Sequence, residues 1–303
     1  MDGLLIVDKP AGPTSHDIVA LVRRLAATRR VGHGGTLDPF ASGVLPLFLG
    51  RATRMVEYHA GDRKAYRATV CFGASSTTDD LEGELTPADG LAPTREAVLA
   101  AIPSFLGPIS QRPPAYSAIK LAGRRAYAMA RAGETPQLAE RDVTIDRMEL
   151  DDWDGRDPAR PIAILDVACS AGTYVRALAR DLGAAVGSAA YLGALIRTAS
   201  GPFRLEDALA VDAIRDAAAA GPARLAALLR PVDAGLESMA EHAVTDDELV
   251  AISRGQFIRV PDLRAEEGAP IRIRDGRGRL VAIAILQGGR LAPDKVLVDA
   301  SAS

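Results

Sequence analysis

The sequence predicts an α+β protein, with a large domain of interspersed helices and strands over residues 1–236 and a small β-rich module over 237–303. Three observations predict it. Stretches that alternate every second residue are interspersed with stretches carrying apolar residues at i, i+3, i+4 and i+7. Near residue 237 this mixture gives way to one short helix and then short strands, punctuated by Asp275-Gly276 and Gly288-Gly289. The chain of 303 residues also exceeds the usual single-domain size, so a large unit with an appendage suits its length.

Gly3 to Val7 reads as a short buried strand, and Pro13-Thr14-Ser15 caps a helix that places Ile18, Leu21, Val22 and Leu25 on one face. Arg23 and Arg24 fall off that face. Residues 31–43, VGHGGTLDPFASG, hold four glycines and a proline without an apolar period, which predicts a loop ahead of the apolar stretch VLPLFLG. Lys64 to Gly73 alternates as a strand, with Tyr66, Ala68, Val70 and Phe72 on one side. Thr94 to Ala101 predicts a helix. The prolines and glycine of QRPPAYSAIKLAGRR predict a long surface loop, about residues 108–135, that leads into a helix near Tyr127. Strands follow at Val143 to Leu150 and Ile162 to Ser170. A helix after Gly172 buries Val175, Leu178, Ala179 and Leu182 as one stripe. Alanine-rich helices run from Val211 to about Leu229, and Thr245 with Glu248 forms a capping box ahead of FIRV, IRIRD, RLVAIAIL and VLV, each short enough for a strand.

Composition narrows the function classes. A chain with 48% hydrophobic and 25% charged residues is ordinary for a soluble globular protein. No apolar run approaches the roughly 20 residues of a membrane span, and the start MDGLLIVDKPAG is too acidic and too briefly apolar for a signal peptide. A cytoplasmic protein is expected. Two cysteines, Cys71 and Cys169, in no CxxC pair, and four histidines without ligand spacing support neither a disulfide framework nor a zinc site. The net charge of -3 hides a segregated distribution: arginines and lysines crowd 23–67 and 112–131, while acidic residues gather elsewhere, as at Asp79, Asp80, Glu82 and Glu84. Such segregation permits a basic groove for nucleic acid on an acidic protein.

One loop offers a chemical group. Pro39 biases Asp38 toward an extended backbone, and the neighbouring glycines let other chain segments approach closely. An isolated Asp-Pro is more often a turn whose aspartate bonds its own backbone. The wider run GHGGTLDPFASGVLPLFLGRATR, however, resembles the signature of the TruB-type pseudouridine synthases. DKPAGPTSHDIV, KAYRATVCFG, QRPPAYSAIKLAGRRAYAMARAG and CSAGTYVRALARDLG resemble that family's other motifs in the same order, so the likeness spans most of residues 3–203. STTDDLEG departs from the family's Thr-Asp-rich stretch, keeping Thr78, Asp80 and Gly83 while losing its usual start.

The resemblance implies the pseudouridine synthase fold, a mixed and largely antiparallel central sheet flanked by helices, with the C-terminal module as a PUA-like RNA-binding domain. It implies isomerisation of uridine 55 in the T-loop of tRNA, after the base is flipped out of its stack. Asp38 would act at C1′ as nucleophile or as electrostatic stabiliser. Arg176 would pair with it and hold it charged. Tyr66 would stack on the target base and assist proton removal, Tyr174 and Leu195 would line the uracil pocket, and His33 would enter the space the flipped nucleotide leaves. Lys9, Lys120, Arg124 and Arg125 would meet phosphates. The reaction involves no net redox change, so no cofactor and no metal are expected; the partner is tRNA, through its T-arm and acceptor arm, and the protein is expected to act as a monomer without a membrane. Three rivals stand beside this reading: a related synthase working inside a guide-RNA particle, a tRNA-binding protein without chemistry, and an aspartate-based nucleoside hydrolase. The last would need an activated water, and no second carboxylate is evident in the Asp38 loop.

Overall fold

The computed structural model describes the chain except residues 89–91, 118, 122, 261–262 and 299–303 and the side chain at position 125. The expectation for Arg125 therefore lies outside the described residues. A ten-stranded mixed sheet dominates the first two thirds of the chain. Its strands are β1 (Gly3–Lys9), β2 (Val31–His33), β3 (Ser42–Leu49), β4 (Lys64–Phe72), β5 (Gly107–Gln111), β6 (Arg141–Asp154), β7 (Ile162–Cys169), β8 (Ala190–Ser200), β9 (Phe203–Arg204) and β10 (Leu209–Ala210). Their order across the sheet is β10-β1-β3-β8-β4-β7-β6-β5, with β2 on β3 and β9 on β8. Only β1 with β10 and β3 with β8 run parallel. The sheet is thus largely antiparallel.

Two helices matter for the site. Helix α1 (Ser15–Leu25) begins at a Thr14 cap whose partner Asp17 completes a capping box, and it buries Ile18, Val19 and Val22 against β1 and β3. Helix α2 (Val175–Ala185) buries Val175, Leu178, Ala179 and Leu182 in the core shared with β4, β7 and β8, as its apolar stripe predicts. Beyond β10, residues 241–296 supply a separate five-stranded sheet. Tyr58 and Asp294, bonded at 2.7 Å, and Lys295 with Glu57 at 3.0 Å tie its last strand to the 3-10 run Gly50–His59 of the large domain. Among the described residues, no helix is long and apolar enough to cross a membrane.

The structure alters several expected elements. Residues 31–33 and Ser42 belong to strands, so the glycine-rich loop is confined to 34–41. Residues 107–111 form a sheet strand, and the surface segment starts after it. It contains a two-residue ladder, Lys120–Leu121 with Arg124–Arg125, and the short helix Ala126–Arg131. The last strand of the small sheet runs Arg290–Val296 and so ends on the first residue of the VLV stretch. Strand β8 had no sequence forecast. Bulges between Leu192 and Ala194 and between Arg197 and Ala199 break its alternation.

Gly43 shows how tightly the sheet frames the loop. It pairs with Arg197 where β3 meets β8, its φ is 104, and a Cβ there would lie 2.2 Å from the Arg197 carbonyl oxygen. Replacing Gly43 by Ala is expected to cost about 1–3 kcal/mol from backbone strain alone, with the clash in addition. A denaturant midpoint equal to wild type would show that the two strands do not need this close approach.

Candidate active site

The loop that presents Asp38 is braced from beneath by the N-terminal motif. Ser15 Oγ donates to Leu37 O at 3.1 Å and accepts from Leu37 N–H at 2.8 Å. Gly12 N–H donates to Pro39 O at 2.8 Å. Lys9 Nζ donates to Pro10 O, Pro13 O and Pro39 O at 2.9, 2.7 and 3.2 Å. Lys9 is fully buried, which overturns its expected place at a phosphate: three carbonyls occupy the three ammonium donors. Burial lowers its pKa to about 8, against the pull of Asp38.

Asp38 does start a turn, since Ala41 N–H donates to Asp38 O at 3.1 Å and proline is favoured as the second residue of such a turn. Its carboxylate is free of that turn and meets Arg176 instead. Asp38 Oδ2 lies 2.9 Å from Arg176 Nε, off the N–H axis, and Oδ1 lies 3.4 Å from a terminal guanidinium nitrogen. The remaining guanidinium donors are anchored. One terminal nitrogen donates to Thr78 O at 2.9 Å and lies 3.2 Å from Asp80 Oδ2; the other donates to Tyr116 O at 2.9 Å. The side chains of Arg176 and Asp80 are 6% and 4% exposed, while that of Asp38 is 36% exposed. Asp38 is therefore the open end of a buried Asp80–Arg176 pair.

Burial is the largest influence on the Asp38 carboxyl and raises its pKa, with Arg176 pulling the other way and Asp80 adding to the rise. The Tyr66 phenol is likewise raised, first by burial. His33 is lowered by burial, by His16 and by Arg197, which favours a neutral ring at neutral pH. Its Nδ1 accepts from Gly35 N–H at 3.3 Å, leaving the proton on Nε2.

A cleft of about 1010 Å³ opens over Asp38, and His33, Tyr66, Tyr174, Arg176 and Leu195 also line it. These six residues from four separate sequence segments meet in one place. Lys9 and Lys120 do not line the cleft. Lys120 is exposed on the ladder of the surface segment, whose Arg124 pairs with Glu134 at 2.7 Å. A second groove, of about 460 Å³ between α1 and the helix Val211–Ala219, holds Arg24 and Arg215 but none of the residues around Asp38.

Three contributors had no role assigned from sequence. Asp80 survives in the shortened STTDDLEG stretch, but nothing local marks it as the inner partner of Arg176. Gln111 is fully buried and clasps the Tyr174 backbone, its Nε2 donating to Tyr174 O at 3.1 Å and its Oε1 accepting from Tyr174 N–H at 2.9 Å. Arg197 is 1% exposed and lines the cleft. Its signal was its parity, two residues after Leu195 on the same strand face.

A carboxylate paired with a buried arginine and open to a cleft lined by several tyrosines among polar and charged side chains is equipped to act on a flat heterocycle. Comparisons make the class specific. Residues 23–175 match the TruB family pseudouridylate synthase N-terminal domain, and residues 176–237 match the tRNA pseudouridylate synthase B C-terminal domain. The chain is similar to proteins named tRNA pseudouridine synthase B. One from Bradyrhizobium diazoefficiens is 43% identical over 97% of this chain and 85% of that protein, and one from Synechococcus elongatus is 41% identical over 98% of both. Another from Thermobifida fusca is 51% identical over 70% of this chain and 73% of its own length. Among solved structures, a chain of an H/ACA ribonucleoprotein bound to a substrate RNA containing 2'-deoxyuridine aligns with TM-score 0.74 and 25% identity, over 99% of this chain and 86% of that one. The chain belongs to the TruB family of pseudouridylate synthases.

Proposed function

We propose that the protein converts uridine 55 in the T-loop of tRNA to pseudouridine. The observation that supports this best is the Asp38 carboxylate, open to the cleft and held by a buried arginine, with two tyrosines and a leucine lining the same cleft, residue types suited to a planar base. The flipped nucleotide puts C1′ at Asp38, which attacks it or stabilises its positive charge as the N1–C1′ bond breaks. Tyr66, Tyr174 and Leu195 hold the freed uracil while it turns, and C5 then bonds to C1′. Neutral His33 takes the vacated place in the RNA stack. The exposed Lys120 ladder meets the RNA backbone, and the PUA-like module of 237–303 holds the acceptor arm. The protein acts in the cytoplasm as a monomer. The rearrangement leaves the oxidation state of the uracil unchanged, so the side chains suffice without metal or cofactor.

The relatives named for tRNA share 41–51% identity with this chain, against 25% for the ribonucleoprotein chain, which favours action without a guide RNA. The test is incubation of the purified protein alone with an unmodified tRNA transcript, followed by single-nucleotide mapping. Pseudouridine at position 55, and none at other uridines, is the expected result. Product only after a guide RNA is added would transfer the reading to the particle enzyme, and tight binding without product would leave a tRNA-binding protein.

A further inference from the structure

Arg197 is a buried cation that the reaction as described does not use. Nε donates to Val44 O at 2.7 Å, and the terminal nitrogens donate to Thr36 O at 3.3 Å and Gly35 O at 3.1 Å. A guanidinium has five N–H donors, so two remain after these three bonds. Among the described residues, no carboxylate forms an ion pair with it. An arginine left buried and un-neutralised is expensive, and the three carbonyls it braces carry only partial charge. Its surplus charge needs a recipient.

Strand register supplies one. Arg197 sits directly across from Tyr66 in the antiparallel β8–β4 ladder, where facing side chains lie on the same side of the sheet with Cβ atoms about 5 Å apart. Both line the cleft. We propose that Arg197 is the counter-charge of the Tyr66 phenol, a positioning residue that makes its oxygen a proton acceptor in the last step of the isomerisation. The proposal rests on the functional reading above. Once C5 has joined C1′, C5 carries both that bond and its hydrogen. The phenol first releases its proton to solvent; the phenolate oxygen then takes the C5 proton, the C–H electron pair re-forms C5=C6, and the C6=N1 pair moves to N1, which takes a proton from water, the hydroxide so formed being neutralised by the proton the phenol released. A phenolate needs a partner in this setting, because burial and Asp38 disfavour it at neutral pH and Arg197 is the group that favours it. Cys169, itself pushed up to about 11, adds no negative charge at neutral pH. Arg197 thereby ties the loop carrying Asp38 to the residue that acts at the other end of the reaction.

The experiment compares Arg197→Lys and Arg197→Met with wild type in single-turnover conversion of a tRNA transcript between pH 6 and 9, with transcript affinity measured in parallel. Arg197→Met is expected to lower the rate on the order of 10²-fold with transcript affinity little changed, and to regain rate as pH rises more steeply than wild type. A more acidic fluorotyrosine placed at position 66 is expected to restore much of that loss. A loss that neither pH nor fluorotyrosine moves would reduce Arg197 to a brace for the loop and overturn the proposal. Arg197→Lys, which keeps the charge, serves if the methionine variant does not fold: the same absence of response in it overturns the proposal, and rescue by fluorotyrosine supports it. A second readout needs no RNA. In free protein with ring-labelled tyrosine, the Tyr66 phenol is expected to titrate at higher pH in either variant than in wild type, and an unchanged titration counts against the proposal. Failure to modify any transcript would instead defeat the functional reading and leave this titration to judge Arg197.

Discussion

Asp38→Asn is expected to abolish pseudouridine formation, by roughly 10³-fold or more, while leaving the protein at least as stable as wild type at neutral pH. The two outcomes have one cause. Burial raises the carboxyl of folded Asp38 above its unfolded value, so the folded protein holds that proton more tightly than the unfolded chain. Stability from this group is therefore present at acid pH and declines as pH rises through the interval between the two values. At neutral pH the ionised carboxylate detracts from stability, and asparagine resembles the protonated form. Arg176 is not stranded by the change, because Asp80, Thr78 O and Tyr116 O still receive its donors. The same shift places the acid limb of the wild-type rate profile above the ordinary aspartate range. A fall of several degrees in Tm for the variant, or activity within tenfold of wild type, would each contradict this account.

Much of this site was legible in the sequence because long, ordered motifs carry it, yet physical reasoning on single residues read them unevenly. The helix of Arg176 was visible as a stripe of Val175, Leu178, Ala179 and Leu182, and that stripe puts Arg176 at its flank. Its depth was not visible. Arginine on a helix is mostly solvated, and only the convergence of Asp80, Thr78 and Tyr116 from two distant loops makes burial tolerable. Lys9 failed for a related reason. A lysine beside two prolines and a glycine reads as surface charge, whereas the converging carbonyls of Pro10, Pro13 and Pro39 draw its ammonium inward. Proline supplies an acceptor and no donor. Asp38 was read both as a turn former and as a reacting group, and the backbone does one while the side chain is free for the other. Strand β8 escaped notice because its bulges break the alternation that signals a strand, and with it went Arg197.

Removing Arg176 should be more damaging to the fold than removing Asp38, because the charge it compensates is the buried one. Arg176→Met leaves the Asp80 carboxylate, whose side chain is 4% exposed, without its ion-pair partner. Breaking such a pair costs about 3–5 kcal/mol. Asp38, about a third exposed, can be compensated by water and adds little to that figure. The reaction should slow on the order of 10²–10³-fold, the scale of losing one preorganised charge contact. Without Arg176 the pull that opposes burial on Asp38 disappears, so its carboxyl moves further up, and the acid limb of the rate profile should shift to higher pH than in wild type. Arg176→Lys keeps a charge but not the planar fork that reaches both carboxylates and two carbonyls at once, and should fall between. The double variant Arg176→Met with Asp80→Asn separates the two roles. Neutralising Asp80 removes the stranded buried charge, so stability measured by denaturant should return most of the way to wild type, while the rate stays low because Asp38 still lacks its cation. If the double variant recovered rate together with stability, Arg176 would be a support for the fold, and the charge state of Asp38 would be set by something else in the cleft.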